Sequence, residues 1–454
     1  MKLQLKNLGA LQNIVLQPKP LTIICGKNNS GKTYAMYSLW SLIELSFNVE
    51  FSQTEQFVNS LISEGEVDVD LPEFFEKNLQ DMITAINLIL PDTLPRTFNT
   101  TKDFFNETEI SLKIETSEFI EYLKEEFHAE KISISRLTNL FNTTYNSEFG
   151  LLKISFKGDK DFPSFIIHDY LNSLFSKIIL SKIGASAFLL PTERAGLNLF
   201  FDELKTQKKN IEEYIKNRRN KDNKGIETDD MEEYFERTYY SLPIEEYINF
   251  ISKAKIEYDD KSELIEDLNR NFSLMSSFKF KKDKGKVFFK TENGKELSLH
   301  LASSAIKTNF ALWVYLSQIN KKSNLLMIDE PELNLHPDAQ RLMARLIVYL
   351  VNSGIKVAVS THSDYFIKEI NSLIMLKNEF EEKSDILERY GYKDFDYLDV
   401  DNVVAYHFKD GSAEEMLIEQ KSGIQADTFD DVSNTLNAAY NDIHWAINSD
   451  EFFE

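Results

Sequence analysis

Hydrophobic residues along this chain form short runs, and three of these runs predict buried β-strands. The runs are Leu21–Cys25, in which Thr22 is the one polar residue, Ala187–Leu190 and Leu325–Ile328. Strands that are covered on both faces of a parallel sheet are apolar along their whole length, whereas half-exposed strands alternate. Lys2–Lys6 alternates polar and apolar residues and predicts a strand of the second kind. The pattern therefore predicts an α/β chain with a mostly parallel core sheet and an antiparallel part at its N-terminal end.

Segments with helical or alternating spacing lie between these runs. Pro72–Leu90 and Asp169–Ile183 carry apolar residues at helical spacing. Residues 48–180 contain no recognisable chemical motif. This part is either a structural insertion packed against the core or a lobe that binds a partner or a substrate. Further strands are predicted at Glu109–Ile114, Leu151–Phe156, Lys286–Lys290 and Tyr397–Tyr406.

Composition and charge narrow the class of protein. The chain has 454 residues, of which 42% are hydrophobic, and this predicts two or three structural units with a large packed interior. A net charge of −22 disfavours indiscriminate binding to nucleic acid, although a local basic patch can persist. Cys25 is the one cysteine, so no disulfide framework exists. The first residues lack a signal peptide's apolar core and no run reaches the ~20 apolar residues of a membrane span, so we expect a cytoplasmic protein without a membrane partner.

A glycine-rich loop follows the first apolar run. The pattern G-x-x-x-x-G-K-[ST] is matched by Gly26, Lys27, Asn28, Asn29, Ser30, Gly31, Lys32 and Thr33. A predicted strand precedes this loop and a predicted helix follows it, which is the context that the motif requires. Unpaired N–H groups and the dipole at a helix N-terminus favour phosphate. We therefore predict that the loop binds a nucleotide, with Lys32 reaching the β- and γ-phosphates and Thr33 ligating Mg²⁺.

Two acids end the apolar run that begins at Leu325. Asp329 and Glu330 are costly at the end of a buried strand unless they meet a cation and a water. Asp329 fits a ligand of Mg²⁺, and Glu330 fits the residue that polarises the attacking water. The next predicted strand is followed by His362, which can reach the same phosphate. The predicted catalytic residues are Lys32, Glu330 and His362, and the predicted metal ligands are Thr33 and Asp329.

These segments resemble those of a known group of ATPases. The chain resembles SMC-like ABC ATPases in four segments. Gly26–Thr33 looks like their Walker A motif and Asp329–Pro331 like their Walker B motif. Glu332–Pro337 looks like their D-loop and Ser360–Ser363 like the segment of their switch histidine. More narrowly, the chain resembles the stand-alone AAA ATPases of bacterial anti-phage systems, the PARIS, Septu and overcoming-lysogenization-defect type group. The resemblance implies a P-loop NTPase head of ABC/SMC type with ATP and Mg²⁺ as cofactors.

The resemblance also implies a contact between subunits. Ala302–Lys307 would occupy the signature loop, and Ser303 would cap the γ-phosphate of ATP bound to a neighbouring subunit. We therefore expect a homo-oligomer, either a dimer or a higher assembly. The chain departs from the family pattern because this loop contains no glycine and no clear glutamine matches the Q-loop. Thr192–Arg194 stands at a plausible Q-loop place, and from the residues alone it is either the rim of a site or a structural ion pair.

Most of the chain separates Lys32 from Asp329, although both must contact one nucleotide. We therefore predict a discontinuous head with two insertions. The head comprises residues 1–47, 186–200 and 277–454, with an inserted α+β lobe at 48–185 and a helical, charged insertion at 201–276. The charged insertion contains a basic run from Lys205 to Lys224 and an acidic run from Glu227 to Glu236. The basic run is either a solvated helix or loop, or an arm that makes non-specific contacts with DNA phosphates.

Three functions fit these features. The first is an ATP-driven sensor or scaffold of an anti-phage system that controls a separately encoded effector, such as a nuclease or a toxin. The second is an SMC-like DNA repair or recombination ATPase, which would need a long coiled coil or a basic cradle. The third is a nuclease of the overcoming-lysogenization-defect type, for which Asp399 and Asp401 are the tempting acidic pair. We favour the first because neither a coiled coil nor a second acidic cluster is clear in the sequence.

Overall fold

A computed structural model describes residues 1–45, 49–127, 140–159, 162–222, 240–257, 263–272, 279–283, 285–291, 293–319, 324–393, 395–425 and 427–448. The described strands are β1 (Lys2–Leu8), β2 (Leu11–Leu16), β3 (Leu21–Gly26), β4 (Glu66–Asp70), β5 (Glu109–Lys113), β6 (Phe141–Asn146), β7 (Leu151–Phe156), β8 (Ala187–Leu190), β9 (Phe280–Asp283), β10 (Lys286–Lys290), β11 (Glu296–Ser298), β12 (Leu325–Asp329), β13 (Lys356–Thr361), β14 (Val403–Lys409), β15 (Ser412–Glu415), β16 (Ile418–Glu419) and β17 (Gly423–Ile424). The described helices are α1 (Lys32–Leu45), α2 (Glu55–Glu64), α3 (Leu71–Phe98), α4 (Thr116–Glu125), α5 (Ser164–Leu180), α6 (Arg194–Asp222), α7 (Leu242–Lys253), α8 (Glu263–Asn271), α9 (Ser304–Gln318), α10 (Pro337–Asn352), α11 (Asp364–Met375), α12 (Lys383–Tyr390) and α13 (Asp427–Asn448).

The main sheet joins nine of the described strands in the order β5-β1-β2-β15-β14-β3-β13-β12-β8. At its centre β14, β3, β13, β12 and β8 run parallel to one another. At one edge β5, β1 and β2 pair antiparallel. The predicted fold class is thus confirmed: an α/β chain with a mostly parallel core and an N-terminal antiparallel part.

Both faces of the parallel strands are covered, because alternate residues of each strand pack into different hydrophobic cores. In β3, Ile24 lies in one core and Ile23 and Cys25 lie in the other. In β12, Met327 lies in the first of these cores and Ile328 lies in the second. The first core is completed by α1 to α5, and the second mainly by α7, α9, α10 and α11. This burial on two sides explains why the strands are apolar along their whole length.

Helix α3 is longer than the sequence indicates. Apolar spacing predicts that it ends at Leu90, whereas the helix continues through Pro91 and Pro95. A proline inside a helix removes a backbone hydrogen bond and usually ends or kinks the helix. Here Thr97, on the last turn, donates a hydrogen bond of 3.0 Å to Ser41 of α1. Packing against α1 therefore outweighs the local break.

Several other elements match the predictions, and one does not. β7 and β8 have the predicted bounds, and β9 and β10 form a hairpin. The strand predicted over Tyr397–Tyr406 instead begins at Val403. Asp399 accepts a hydrogen bond of 3.1 Å from the backbone N–H of Asp401 and caps a turn there. Such an aspartate-capped turn competes with extended backbone, which explains the later start of the strand.

The lobe between residues 48 and 185 is joined to the head through the main sheet. β5 belongs to this part of the sequence, yet it pairs with β1 at the edge of the main sheet. β4, β7 and β6 form a separate three-stranded antiparallel sheet beside α2, α3 and α5. The lobe and β1 share one hydrophobic core. The division of the chain into a head, a lobe and a charged insertion stays a prediction.

The charged insertion is mainly helical where it is described. The basic run from Lys205 lies in α6 as far as Asp222, while Lys224 and the acidic run Glu227–Glu236 lie outside the described residues. α13 follows the last strands of the C-terminal part. None of the helices in the described ranges has the length and apolar character needed to cross a membrane.

Two leucines on α3 provide a matched test of the shared core. Leu79 is 1% exposed and Leu88 is 74% exposed. We expect Leu79→Ala to lower the free energy of unfolding by about 2–5 kcal/mol, because it leaves a cavity in the core. Leu88→Ala, the same chemical change on the same helix, should shift it by no more than about 0.5 kcal/mol. Urea unfolding followed by circular dichroism measures both, and equal effects would contradict this packing.

Candidate nucleotide site

Three parallel strands bring the predicted site residues to one edge of the sheet. β13 lies between β3 and β12, and its residues pair with both neighbours: Ser360 is opposite Asp329, and Thr361 is opposite Cys25. The carboxyl ends of these strands therefore meet at one edge, where α/β proteins place their ligand sites. The glycine loop, the two acids and His362 leave the strands at this point. The structure thus assembles Lys32, Thr33, Asp329, Glu330 and His362 from three separate segments.

The glycine loop wraps the N-terminus of α1. Lys32 is 7% exposed, and its Nζ donates hydrogen bonds to the carbonyls of Gly26 and Lys27 at 3.1 and 2.9 Å. Gly31 has a φ of 95°, and a Cβ there would lie 2.4 Å from the Leu11 side chain. Only glycine fits such a backbone without strain. Burial lowers the pKa of Lys32, and the nearby carboxylates of Asp329 and Glu330 oppose that shift.

Asp329 is surrounded by hydroxyl groups. Its Oδ2 lies 3.5 Å from the hydroxyls of Thr33 and Thr192, and the Ser360 hydroxyl donates to its Oδ1. Carboxylate and hydroxyl oxygens are hard donors of the kind that Mg²⁺ prefers, and Mg²⁺ usually keeps water and phosphate oxygens as its other ligands. The described residues contain no group of three or more His, Cys, Asp or Glu side chains that could hold a metal by themselves. Thr33 and Asp329 therefore fit a magnesium ion that is also bound by phosphate.

Glu330 faces His362 across the mouth of the site. His362 Nε2 lies 3.6 Å from Glu330 Oε1, and both side chains are 29% exposed. Burial raises the pKa of Glu330, and the negative charges of Asp329 and Glu332 raise it further. Burial and the charge of Lys32 lower the pKa of His362 below its usual value, which favours the neutral imidazole. A carboxylate with a raised pKa beside a neutral imidazole can accept a proton from water.

Glu332 fixes the segment that carries His362. Its Oε1 accepts hydrogen bonds from the His362 N–H at 2.7 Å and from the Thr361 hydroxyl at 2.8 Å. Sequence reasoning placed Glu332 in the D-loop segment without giving it this contact. The position of His362 therefore depends on the carboxylate of Glu332, which lies two residues after Glu330.

Arg194 has a role that the sequence did not reveal. Its side chain is 2% exposed. Nη1 donates to the carbonyl of Asp329 and Nη2 to the carbonyl of Glu330, both at 2.6 Å. Nη1 also donates to the carbonyl of Pro191 at 3.0 Å. Of the two interpretations of Thr192–Arg194, the structural ion pair is wrong for Arg194, whose side-chain hydrogen bonds go to backbone carbonyls next to the site.

Ser303 caps α9. Its Oγ accepts a hydrogen bond of 3.3 Å from the backbone N–H of Ile306, so the serine has the ordinary N-cap role that its position predicts. In the next turn, the Thr308 hydroxyl accepts from Asn334 at 3.0 Å. This bond ties α9 to the loop that follows Glu330. A contact between Ser303 and the nucleotide of another subunit stays a prediction.

The acidic pair Asp399 and Asp401 lies in a structural turn. Asp399 caps that turn, and its Oδ2 is 3.4 Å from Lys377 Nζ. The backbone hydrogen bond from Asp401 and the Lys377 ammonium lower the pKa of Asp399. The contacts of Asp399 are those of a capping residue.

Comparison with known proteins shows the family of this chain. The family model described as "AAA ATPase domain" matches residues 1–367. No curated protein matches the chain.

Solved SMC head domains are similar to the chain at low identity. One is the Smc head domain of Pyrococcus furiosus, with an extended coiled coil and bound to the C-terminal domain of ScpA. It is 13% identical, with 97% of this chain and 98% of that chain covered and a TM-score of 0.32. The SMC head domain of Thermotoga maritima is 10% identical, with 92% and 98% covered and a TM-score of 0.31. The family model spans most of the chain, and the chain therefore belongs to the AAA ATPase domain family.

Proposed function

We propose that this ATPase binds Mg-ATP at the edge of β3, β13 and β12 and hydrolyses it there. The observation that carries the proposal is the convergence of the glycine loop, Asp329, Glu330 and His362 at the ends of three parallel strands. Thr33 and Asp329 would hold Mg²⁺, which supplies positive charge for the phosphate oxygens when it is bound. The loop from Gly26 to Thr33 would bind the phosphates through its backbone N–H groups.

Each of the other residues has a role that its position supports. Lys32 carries a buried positive charge at the N-terminus of α1, where the terminal phosphates would lie. Glu330 would orient the attacking water and accept its proton, since its carboxylate is partly exposed. His362 would lie beside the carboxylate of Glu330 and donate its N–H to the γ-phosphate. Lys32 would thus serve substrate binding, and Glu330 would serve proton transfer.

The finer biological role extends this chemistry. We propose an ATP-driven sensor or scaffold subunit of a bacterial anti-phage system that controls a separately encoded effector. The support is the resemblance of the motifs, together with a described chain that contains no acidic metal cluster of its own. A DNA repair ATPase is the alternative, and a nuclease is disfavoured because Asp399 caps a turn. Co-purification of the tagged chain with the product of a neighbouring reading frame would distinguish these roles.

Substitution of Glu330 and Lys32 separates hydrolysis from binding. We expect Glu330→Gln to bind Mg-ATP normally and to lower kcat by about 10²–10⁴-fold, the usual contribution of a general base. Lys32→Ala should weaken ATP binding by about 10- to 100-fold, because a charge-assisted hydrogen bond is lost. Phosphate release and calorimetric titration measure the two effects. The exposed Glu388→Gln is the control, and wild-type hydrolysis by Glu330→Gln would refute the assignment.

Nucleotide-dependent assembly tests the proposed role of Ser303. In the Glu330→Gln background, which keeps ATP bound, we expect Mg-ATP to shift the protein to a dimer or a multiple of it in sedimentation velocity. Ser303→Arg should abolish the shift, because a bulky charged side chain would replace the hydroxyl that we propose contacts the γ-phosphate of the neighbouring subunit. Ser117→Arg, a matched change at an exposed helical position of the lobe, should leave it intact. A protein that stays monomeric with ATP would contradict capping between subunits.

Incubation with plasmid DNA tests the nuclease alternative. We expect the purified chain with Mg²⁺ and ATP to leave the plasmid intact, because metal-assisted cleavage needs several carboxylates around the metal ions. Any DNA binding should weaken as salt rises, and it should lose part of that salt dependence when Lys216, Arg218 and Arg219 are changed to Ser. Cleavage that Asp399→Ala abolishes and Glu330→Gln retains would favour the nuclease.

A further inference from the structure

The backbone of Glu330 has an unusual conformation. Its φ is 53°, in the left-handed region that residues with a side chain rarely adopt. Glycine would adopt this conformation without strain, but it could not supply the carboxylate that we propose for hydrolysis. Something in the surrounding structure must therefore hold the backbone, since strain of this kind persists only where neighbouring contacts enforce it.

The guanidinium of Arg194 provides that restraint. Successive carbonyls of an extended strand point to opposite sides, yet the carbonyls of Asp329 and Glu330 both accept from this one group at 2.6 Å. The two carbonyls can converge because the chain turns at Glu330. The N–H of Glu330 is fixed as well, since it donates to the carbonyl of Ser360 at 3.0 Å. Both peptide groups of Glu330 are thus held by partners on other segments, and the carbonyl of Glu330 also accepts from the N–H of Leu333 in the following turn at 3.1 Å.

Arg194 is itself fixed by the first turn of α6. Asn198, one turn further along, is 1% exposed and donates to the carbonyl of Lys307 in α9 at 2.7 Å. The same side chain accepts from the hydroxyl of Tyr247 in α7, also at 2.7 Å. These bonds anchor α6 to two other helices. The guanidinium therefore meets the two carbonyls from a rigid support.

We propose that Arg194 is a positioning residue that holds the backbone of Glu330 in the conformation required for hydrolysis. This inference rests on the proposed function, because Glu330 acts there on the attacking water. Arg194 reaches only the carbonyls and acts through Glu330. Lysine would keep the positive charge but could not replace Arg194. An ammonium group on a flexible side chain lacks the planar, forked donors with which a guanidinium binds two acceptors at once.

The kinetic test compares Arg194→Lys with Arg345→Lys. Arg345 is a second buried arginine, 8% exposed, and it donates to Glu369 and to the carbonyl of Gly391 at 2.5 and 2.9 Å. We expect Arg194→Lys to lower kcat by about 100-fold, the effect of a small misplacement of a catalytic group. Its Kd for ATP, measured by calorimetry, should stay close to that of the wild type. Arg345→Lys should change neither quantity.

A double substitution shows whether Arg194 acts through Glu330. If it does, Arg194→Lys should cause no further loss of rate in the Glu330→Gln protein, because the group that it positions is already gone. Losses that multiply would show an independent role and would overturn the proposal. Wild-type kcat in Arg194→Lys would overturn it as well.

Hydrogen exchange gives a readout that does not depend on activity. In Arg194→Lys, we expect the peptide that covers Glu330 to exchange at least about tenfold faster, since hydrogen bonds to a charged group are lost. Arg345→Lys should leave this peptide unchanged, and equal exchange in both variants would overturn the proposal. If the wild type does not hydrolyse ATP, the proposed function fails, and with it the role of Arg194 in hydrolysis. The exchange data would then still decide whether Arg194 holds the segment.

Discussion

The site depends on one constraint: a carboxylate stands at the end of a strand that is buried on both faces. Asp329 is 4% exposed at the tip of β12, where an unpaired charge would be costly. Three hydroxyls surround it. Thr33 lies in α1, Thr192 lies in the loop after β8, and Ser360 lies in β13. Those segments meet because β3, β13, β12 and β8 run parallel in that order, which brings their carboxyl ends to one edge of the sheet.

The acid beside Asp329 is restrained in a different way. Glu330 must keep a partly exposed carboxylate, so the protein fixes its backbone and leaves the side chain accessible. Arg194 holds the carbonyls and Ser360 holds the N–H. Glu332 then fixes the backbone of His362 on the opposite side. Glu330 and His362, which would take part in hydrolysis, are thus both held through their backbone.

Two long helices connect this site to distant parts of the chain. α6 starts at Arg194 under the acids and leads into the basic run, while Asn198 joins it to α9. α9 begins at the Ser303 cap and contacts the loop after Glu330 through Thr308 and Asn334. A displacement of either helix would therefore reach the backbone around Glu330. A sensor that couples a bound partner to hydrolysis requires connections of this kind.

The sequence by itself determined the elements whose signals are local. Mainly apolar runs predicted β3, β8 and β12, because burial on both faces disfavours polar residues. The glycine loop, the acids of β12 and His362 were identifiable because phosphate and magnesium chemistry restricts residue types and spacing. Tertiary structure decided what depends on distant contacts. α3 passes through Pro91 and Pro95 because it packs on α1, and β5 joins the main sheet because the edge of β1 is open to it. The sequence left Arg194 either at the rim of a site or in a structural ion pair, because its partners are backbone carbonyls, which carry no sequence signature.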